Sequence, residues 1–112
     1  MENTYEKVIK FIEEEFKGDY QHVAEGKRYI INVLKEEERV CRTKYNGKES
    51  KLDVISILDS LKFILRVLNN EKTKPNLDKA TEKYVVKTLN TVMQEVNESK
   101  KYGNSSYESA YK

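Results

Sequence analysis

Residues 50–68 read SKLDVISILDSLKFILRVL, the most apolar stretch of an otherwise highly charged chain, with Leu52, Ile55, Leu58, Leu61, Leu65 and Leu68 at helical spacing. Val54, Ile57, Ile64 and Val67 flank that row, so the arc is wider than a surface stripe and predicts a helix at the centre of a bundle. Leu52, Leu58 and Leu65 are expected beneath the remaining helices, which must supply the cover.

That cover is legible on both sides. Asn3, with Glu6 three residues on, forms a capping pair for a first helix whose apolar face is Tyr5, Val8, Ile9, Ile12 and Phe16, ended by Gly18. Asp19 is expected to cap a second helix with Tyr20, Val23, Ile30 and Leu34 inward, extended by Val33, Val40 and Cys41. Gly26 falls inside it and costs about 1 kcal/mol relative to Ala. Asn46-Gly47 marks a turn into the central helix, which Ser50 and Asp53 cap; a hairpin pairing 40–45 with 48–54 around that dipeptide is the competing expectation. The polar linker 71–76 carries the only proline, and Asn76 or Asp78 opens a last helix with Val85, Leu89, Val92 and Val96 inward, supported by Ala80, Tyr84, Thr88 and Met93.

The reading is an all-α fold, a compact antiparallel four-helix bundle over residues 1–98, with helices at about 3–17, 20–42, 51–69 and 77–97. Residues 99–112 hold no Leu, Ile, Val or Phe and are expected to form a flexible polar tail studded by Tyr102, Tyr107 and Tyr111. At 112 residues the chain is long enough to bury one core without metal or disulfide support.

The net charge of +2 is too mild to imply nucleic acid or an anionic membrane by itself. Its distribution says more. Residues 1–39 hold seven Lys and Arg against ten Asp and Glu, residues 40–112 fourteen against nine, so a packed bundle is expected to show an acidic and a basic face. Cys41 is the only cysteine, which suits a reducing cytosol. Asp53, Asp59, Lys62 and Arg66 interrupt the longest apolar run, so no transmembrane segment is expected, and the N-terminus lacks the order of a secretory signal. The expected location is cytoplasmic.

No constellation carries recognisable chemistry, so no catalytic, cofactor-binding or metal-binding residue is assigned. His22 has Glu25 one turn away but no nucleophile, and reads as a solvated side chain. One His and one Cys nineteen positions apart cannot build a zinc or di-iron site. Carboxylate pairs of the kind that hold magnesium in all-helical nucleotide pyrophosphohydrolases are mostly absent: Glu95 and Glu98, at the end of the last helix, form the single Glu-x-x-Glu, and Glu13, Glu14, Glu15 and Glu36, Glu37, Glu38 are consecutive triplets that fan around their helices. Cys41 beside Arg39 and Arg42 reads as a small buried residue rather than a redox sensor.

What remains is binding. The basic loop 39–51, with Arg39, Arg42, Lys44, Lys48, Lys51 and Tyr45, is the best local candidate for an acidic partner or phosphate, and Tyr102, Tyr107 and Tyr111 extend the partner-binding set into the tail. The expected function is that of a small non-enzymatic binding protein, a regulator, inhibitor or adaptor acting through protein–protein contacts. A nucleic-acid-binding regulator using the basic loop is the alternative, and a homodimer through surplus apolar arc on the central helix is a further possibility.

Four amphipathic helices followed by a basic, Tyr-containing tail, with Tyr102-Gly103-Asn104-Ser105 at its start, resemble the immunity proteins of pediocin-like bacteriocins. That resemblance implies a cytosolic protein guarding a membrane receptor complex. It carries over no functional residue, and small phage-borne or mobile-element regulators share the same bulk features.

Overall fold

The computed structural model describes residues 2–48, 52–99 and 102. Asn3 starts α1 (Thr4–Glu15): its side chain accepts from the Glu6 amide at 2.9 Å and donates to the Glu6 carboxylate at 3.0 Å, the reciprocal cap read from the sequence. α2 (Gln21–Lys44) follows from Tyr20 with no side-chain cap, so Asp19 does not play the part expected of it. Asp53 accepts from the Ser56 amide at 3.0 Å and opens α3 (Val54–Leu68), three residues later than expected. Asp78 does the same for Thr81 at 2.8 Å and opens α4 (Lys79–Glu98). Backbone and side-chain hydrogen bonds from Thr81 to the Asp78 carboxylate hold its pKa below the usual value.

The Asn46-Gly47 pair ends α2 instead of turning a hairpin. Both residues have positive φ, 55° and 78°, and the Gly47 and Asn46 amides reach back to the Arg42 and Thr43 carbonyls at 2.7 and 3.2 Å. These two hydrogen bonds, from two residues in the left-handed region, satisfy carbonyls of the last turn of the helix. Residues 40–44 are thereby committed to α2, and no strand occurs among the described residues.

Successive helices run antiparallel. Lys27 Nζ reaches the Glu13 carbonyl at 3.2 Å near one end of α1 and α2, while Ser60 Oγ points at Glu37 Oε1 at 3.4 Å across α2 and α3. α1 and α3 therefore run parallel, with the Thr4 amide on the Leu52 carbonyl at 3.3 Å, and so do α2 and α4, where Thr81 Oγ1 meets Glu25 Oε2 at 3.5 Å. The core between them is Tyr5, Val8, Ile9 and Ile12 from α1, Val23, Ile30 and Leu34 from α2, and Val85, Leu89, Val92 and Val96 from α4.

α3 packs against α1, α2 and α4 but is not the central helix expected, since α2 and α4 form the most extensive pair of the bundle, and its buried face is turned from the one expected. Its buried row is Val54, Ile57, Leu61, Ile64 and Leu68, with Leu52 buried just ahead of it, whereas Ile55, Leu58 and Leu65 are only half-buried. The cause is a polar contact that an apolar count cannot register. The Tyr5 hydroxyl donates to the Ser56 carbonyl at 3.1 Å and shares a hydrogen bond of 2.7 Å with the Ser60 hydroxyl, drawing Ser60 inside. Among the α3 residues Phe63 is the exposed large apolar side chain, at 40%. Tyr20 and Val40, expected inward on α2, are also exposed, at 71% and 45%.

Gly26 is where α2 and α4 close on each other. A Cβ there would lie 2.6 Å from Tyr84 Cδ1 and 3.3 Å from Val85 Cγ2, so only glycine admits the Tyr84 ring. Tyr84 in turn belongs to a chain of edge-to-face and stacked rings: Tyr20 on His22, His22 on Tyr84, Tyr84 on Phe16, Phe16 on Phe11, and Phe11 on Tyr102. The rings span the side of the bundle where α1 faces α4. The Tyr84 and Thr88 hydroxyls are buried there without an aligned hydrogen-bond partner, a cost set against the ring packing.

Two stability measurements check this account. Gly26→Ala is expected to lower the unfolding free energy in urea by about 1–2 kcal/mol, because overpacking outweighs the gain in helix propensity. In a Tyr84→Ala background the same change should become neutral or stabilising, and an unchanged penalty there would contradict the ring clash. Burial raises the pKa values of Tyr5, Tyr29 and Tyr84. A raised pKa contributes stability that is fully present below the unfolded value and lost as pH climbs through the folded one. Stability should therefore fall as pH passes about 10, and fall less steeply in Tyr5→Phe, as read from urea midpoints at stepped alkaline pH.

Candidate binding surfaces

The basic end of α2 is largely satisfied by its own helix. Arg39 pairs with Glu36 at 2.5 and 3.0 Å, and Arg42 with Glu38 at 3.4 Å, each one turn back along α2. The hydrogen bond to Arg39 holds the Glu36 carboxyl below its usual pKa and raises that of Arg39. Lys44 Nζ stands 5.5 Å from the centre of the Tyr45 ring. Arg42 and Lys44 also occupy the last turn, where cations complement the helix macrodipole. Lys48 is exposed just past the Asn46-Gly47 cap. Lys51, Tyr107 and Tyr111 lie outside the described residues.

Tyr102 departs from the expectation of a tail side chain presented to a partner. It is 1% exposed, its ring meets Phe11 edge-on at 6.3 Å, and its carbonyl accepts from Thr4 Oγ1 at 3.0 Å. Residue 102 thus closes the core over α1. No apolar periodicity leads up to it, which is why a tail composition hides it.

In the seam of α2 and α3 several polar groups lie against one another. The Tyr5–Ser60 pair continues to Glu37, and the Cys41 thiol lies 4.0 Å from Ser56 Oγ in the same α2–α3 seam. Arg39 and Arg42 pair with Glu36 and Glu38, and the thiol lies beside the Ser56 hydroxyl. His22 is sandwiched between Tyr20, with ring centroids 5.5 Å apart, and Tyr84, at 5.9 Å. It is half-buried, with one face toward the exposed Tyr20. Among the described residues no three His, Cys, Asp or Glu side chains are grouped to hold a metal ion, and no helix is long and apolar enough to cross a membrane.

The surface that sequence reasoning missed is a groove of about 610 Å³ between α1 and α2, lined by Glu2, Glu6, Glu13, Glu14 and Glu38 with Lys10, Lys35 and Ile9. Five carboxylates against two ammonium groups make it the acidic face that the uneven charge of the chain implies. The glutamate triplets do fan, but members of each turn toward the neighbouring helix: Glu13 and Glu14 line the groove from α1 and Glu38 from α2. A second hollow of about 250 Å³ on the far flank of α1, reaching Phe11 and Tyr102, shares Glu2, Lys10 and Glu14 with the first. α1 is therefore a ridge with a recess on each side. The signal lay in the spacing of Glu6 and Glu13 along one edge of α1, readable only once α2 was known to lie beside it.

Tyr102→Ala is expected to cost about 3 kcal/mol of unfolding free energy, the loss typical of a large buried aromatic. A change under about 0.5 kcal/mol in urea denaturation would show that residue 102 is surface after all. The chain matches no known protein family, no curated protein and no solved structure.

Proposed function

We propose that this protein is a small binding protein, a regulator, inhibitor or adaptor, which acts by seating a basic segment of a protein partner in the α1–α2 groove. The observation that carries the reading is the groove itself: five carboxylates and two lysines around the side of Ile9. At physiological ionic strength the screening length is about 8 Å, similar to the spacing of groups across such a recess, so the carboxylates act together on an approaching cation. Rim ion pairs are each worth about 0–1 kcal/mol, so they set partner choice and association rate more than affinity.

The fold leaves these groups available. Glu13 and Glu14 carry no ion pair among the described residues, and exchanging them for lysine in the last turn of α1 suits the helix macrodipole. Glu13→Lys with Glu14→Lys is therefore a folded, charge-reversed probe. Carbodiimide cross-linking in a native lysate should join partner lysines to groove glutamates. The charge-reversed protein should lose that partner, and its association rate with the unmodified protein should drop about tenfold or more at high salt. A partner kept by the variant, with cross-links elsewhere, would overturn the proposal. Salt-sensitive nucleic-acid binding retained by the variant would move the function to the basic residues.

A further inference from the structure

The partner chemistry of the groove has a match within the same chain. Lys79, Lys83 and Lys87 are exposed and follow one another at every fourth position of α4, opposite the buried Val85 and Leu89. None makes an ion pair among the described residues, unlike Lys74, which is held by Glu82 at 3.0 Å. At 1.5 Å per residue the three ammonium groups span about 12 Å along the helix, and Glu6 to Glu14 on α1 span about 12 Å as well.

We infer that the lysine row of α4 docks into the α1–α2 groove of a second copy of this chain. This rests on the groove reading above and names one occupant for it. Charge complementarity is the argument: one face presents unpaired cations at helical spacing, and the other presents five carboxylates over a similar length beside Ile9, outweighing Lys10 and Lys35 in the same groove. The two faces cannot meet within one molecule, because Val85, on the opposite side of α4 from the lysines, packs toward Gly26 of α2. Pairing therefore joins two different surfaces, either reciprocally in a closed pair or head-to-tail. In the head-to-tail arrangement a row and a groove stay free at the ends, so further copies can add.

Sedimentation of the purified full chain tests this at ionic strengths of about 0.01 M and 1 M, where the screening length goes from about 30 Å to about 3 Å. The expected result is a weight-average mass that rises about twofold or more with concentration at low salt and stays monomeric at high salt. Glu13→Lys with Glu14→Lys should abolish the rise, and so should Lys83→Glu with Lys87→Glu. An equimolar mixture of these two variants should restore it, since each then offers the charge the other lacks. A wild-type chain that stays monomeric at low salt overturns the inference, as does a lysine-reversed variant that associates normally. In the first case, loss of a heterologous partner by the groove variant would still uphold the groove as a binding site. Loss of that partner without any self-association therefore separates the two readings.

Discussion

Keeping the row Val54, Ile57, Leu61, Ile64 and Leu68 out of water is the requirement from which the other contacts follow. Each such side chain is worth about 1.5–3 kcal/mol on full burial, so α3 can only exist with helices packed around it. α1, α2 and α4 supply that cover with narrower apolar faces, and their polar sides are free to carry charge. The Tyr5–Ser60 hydrogen bond then sets the rotation of α3 within its sleeve. A buried hydroxyl is costly without a partner, so a wrong rotation would strand two groups at once.

A second requirement is local and steric. With Gly26 absent a Cβ, α2 and α4 approach closely and the Tyr84 ring enters between them. From Tyr84 the rings of Phe16, Phe11 and Tyr102 continue across α1, and those of His22 and Tyr20 continue outward past α2. Bulky rings at the α1–α4 seam fill width that aliphatic side chains leave open. This accounts for a glycine in the middle of a helix, where propensity alone counts it as a defect.

Helix number, order and caps at Asn3, Asp53 and Asp78 were legible because they depend on near neighbours in the chain. The inward row of α4 was legible because its period is unambiguous. What failed to show depended on residues brought together from afar. Leu58 and Leu65 looked central by apolar count, yet the contact that turns α3 joins residues 5 and 60. Asn46-Gly47 has one local conformation that serves both a hairpin and a helix end, and α2 running to Lys44 decides between them. Tyr102 has no apolar neighbours in sequence, and its partner Phe11 lies at the other end of the chain. The acidic groove combines glutamates from two helices whose relative rotation no single-helix pattern contains.

The division of labour between interior and surface bears on how such a chain can change. Stability comes from aliphatic burial, a short internal hydroxyl network and the ring chain, while exposed ion pairs such as Arg39–Glu36 contribute little. Surface charge is therefore nearly decoupled from folding. Replacing Glu by Lys on α1 or Lys by Glu on α4 alters the electrostatic field without disturbing a buried contact, since both residues are good helix formers. A fold built this way can carry carboxylates on one side and ammonium groups on another without thermodynamic conflict. The segregation of charge between its halves is then free to answer to a partner, because packing makes no demand on it.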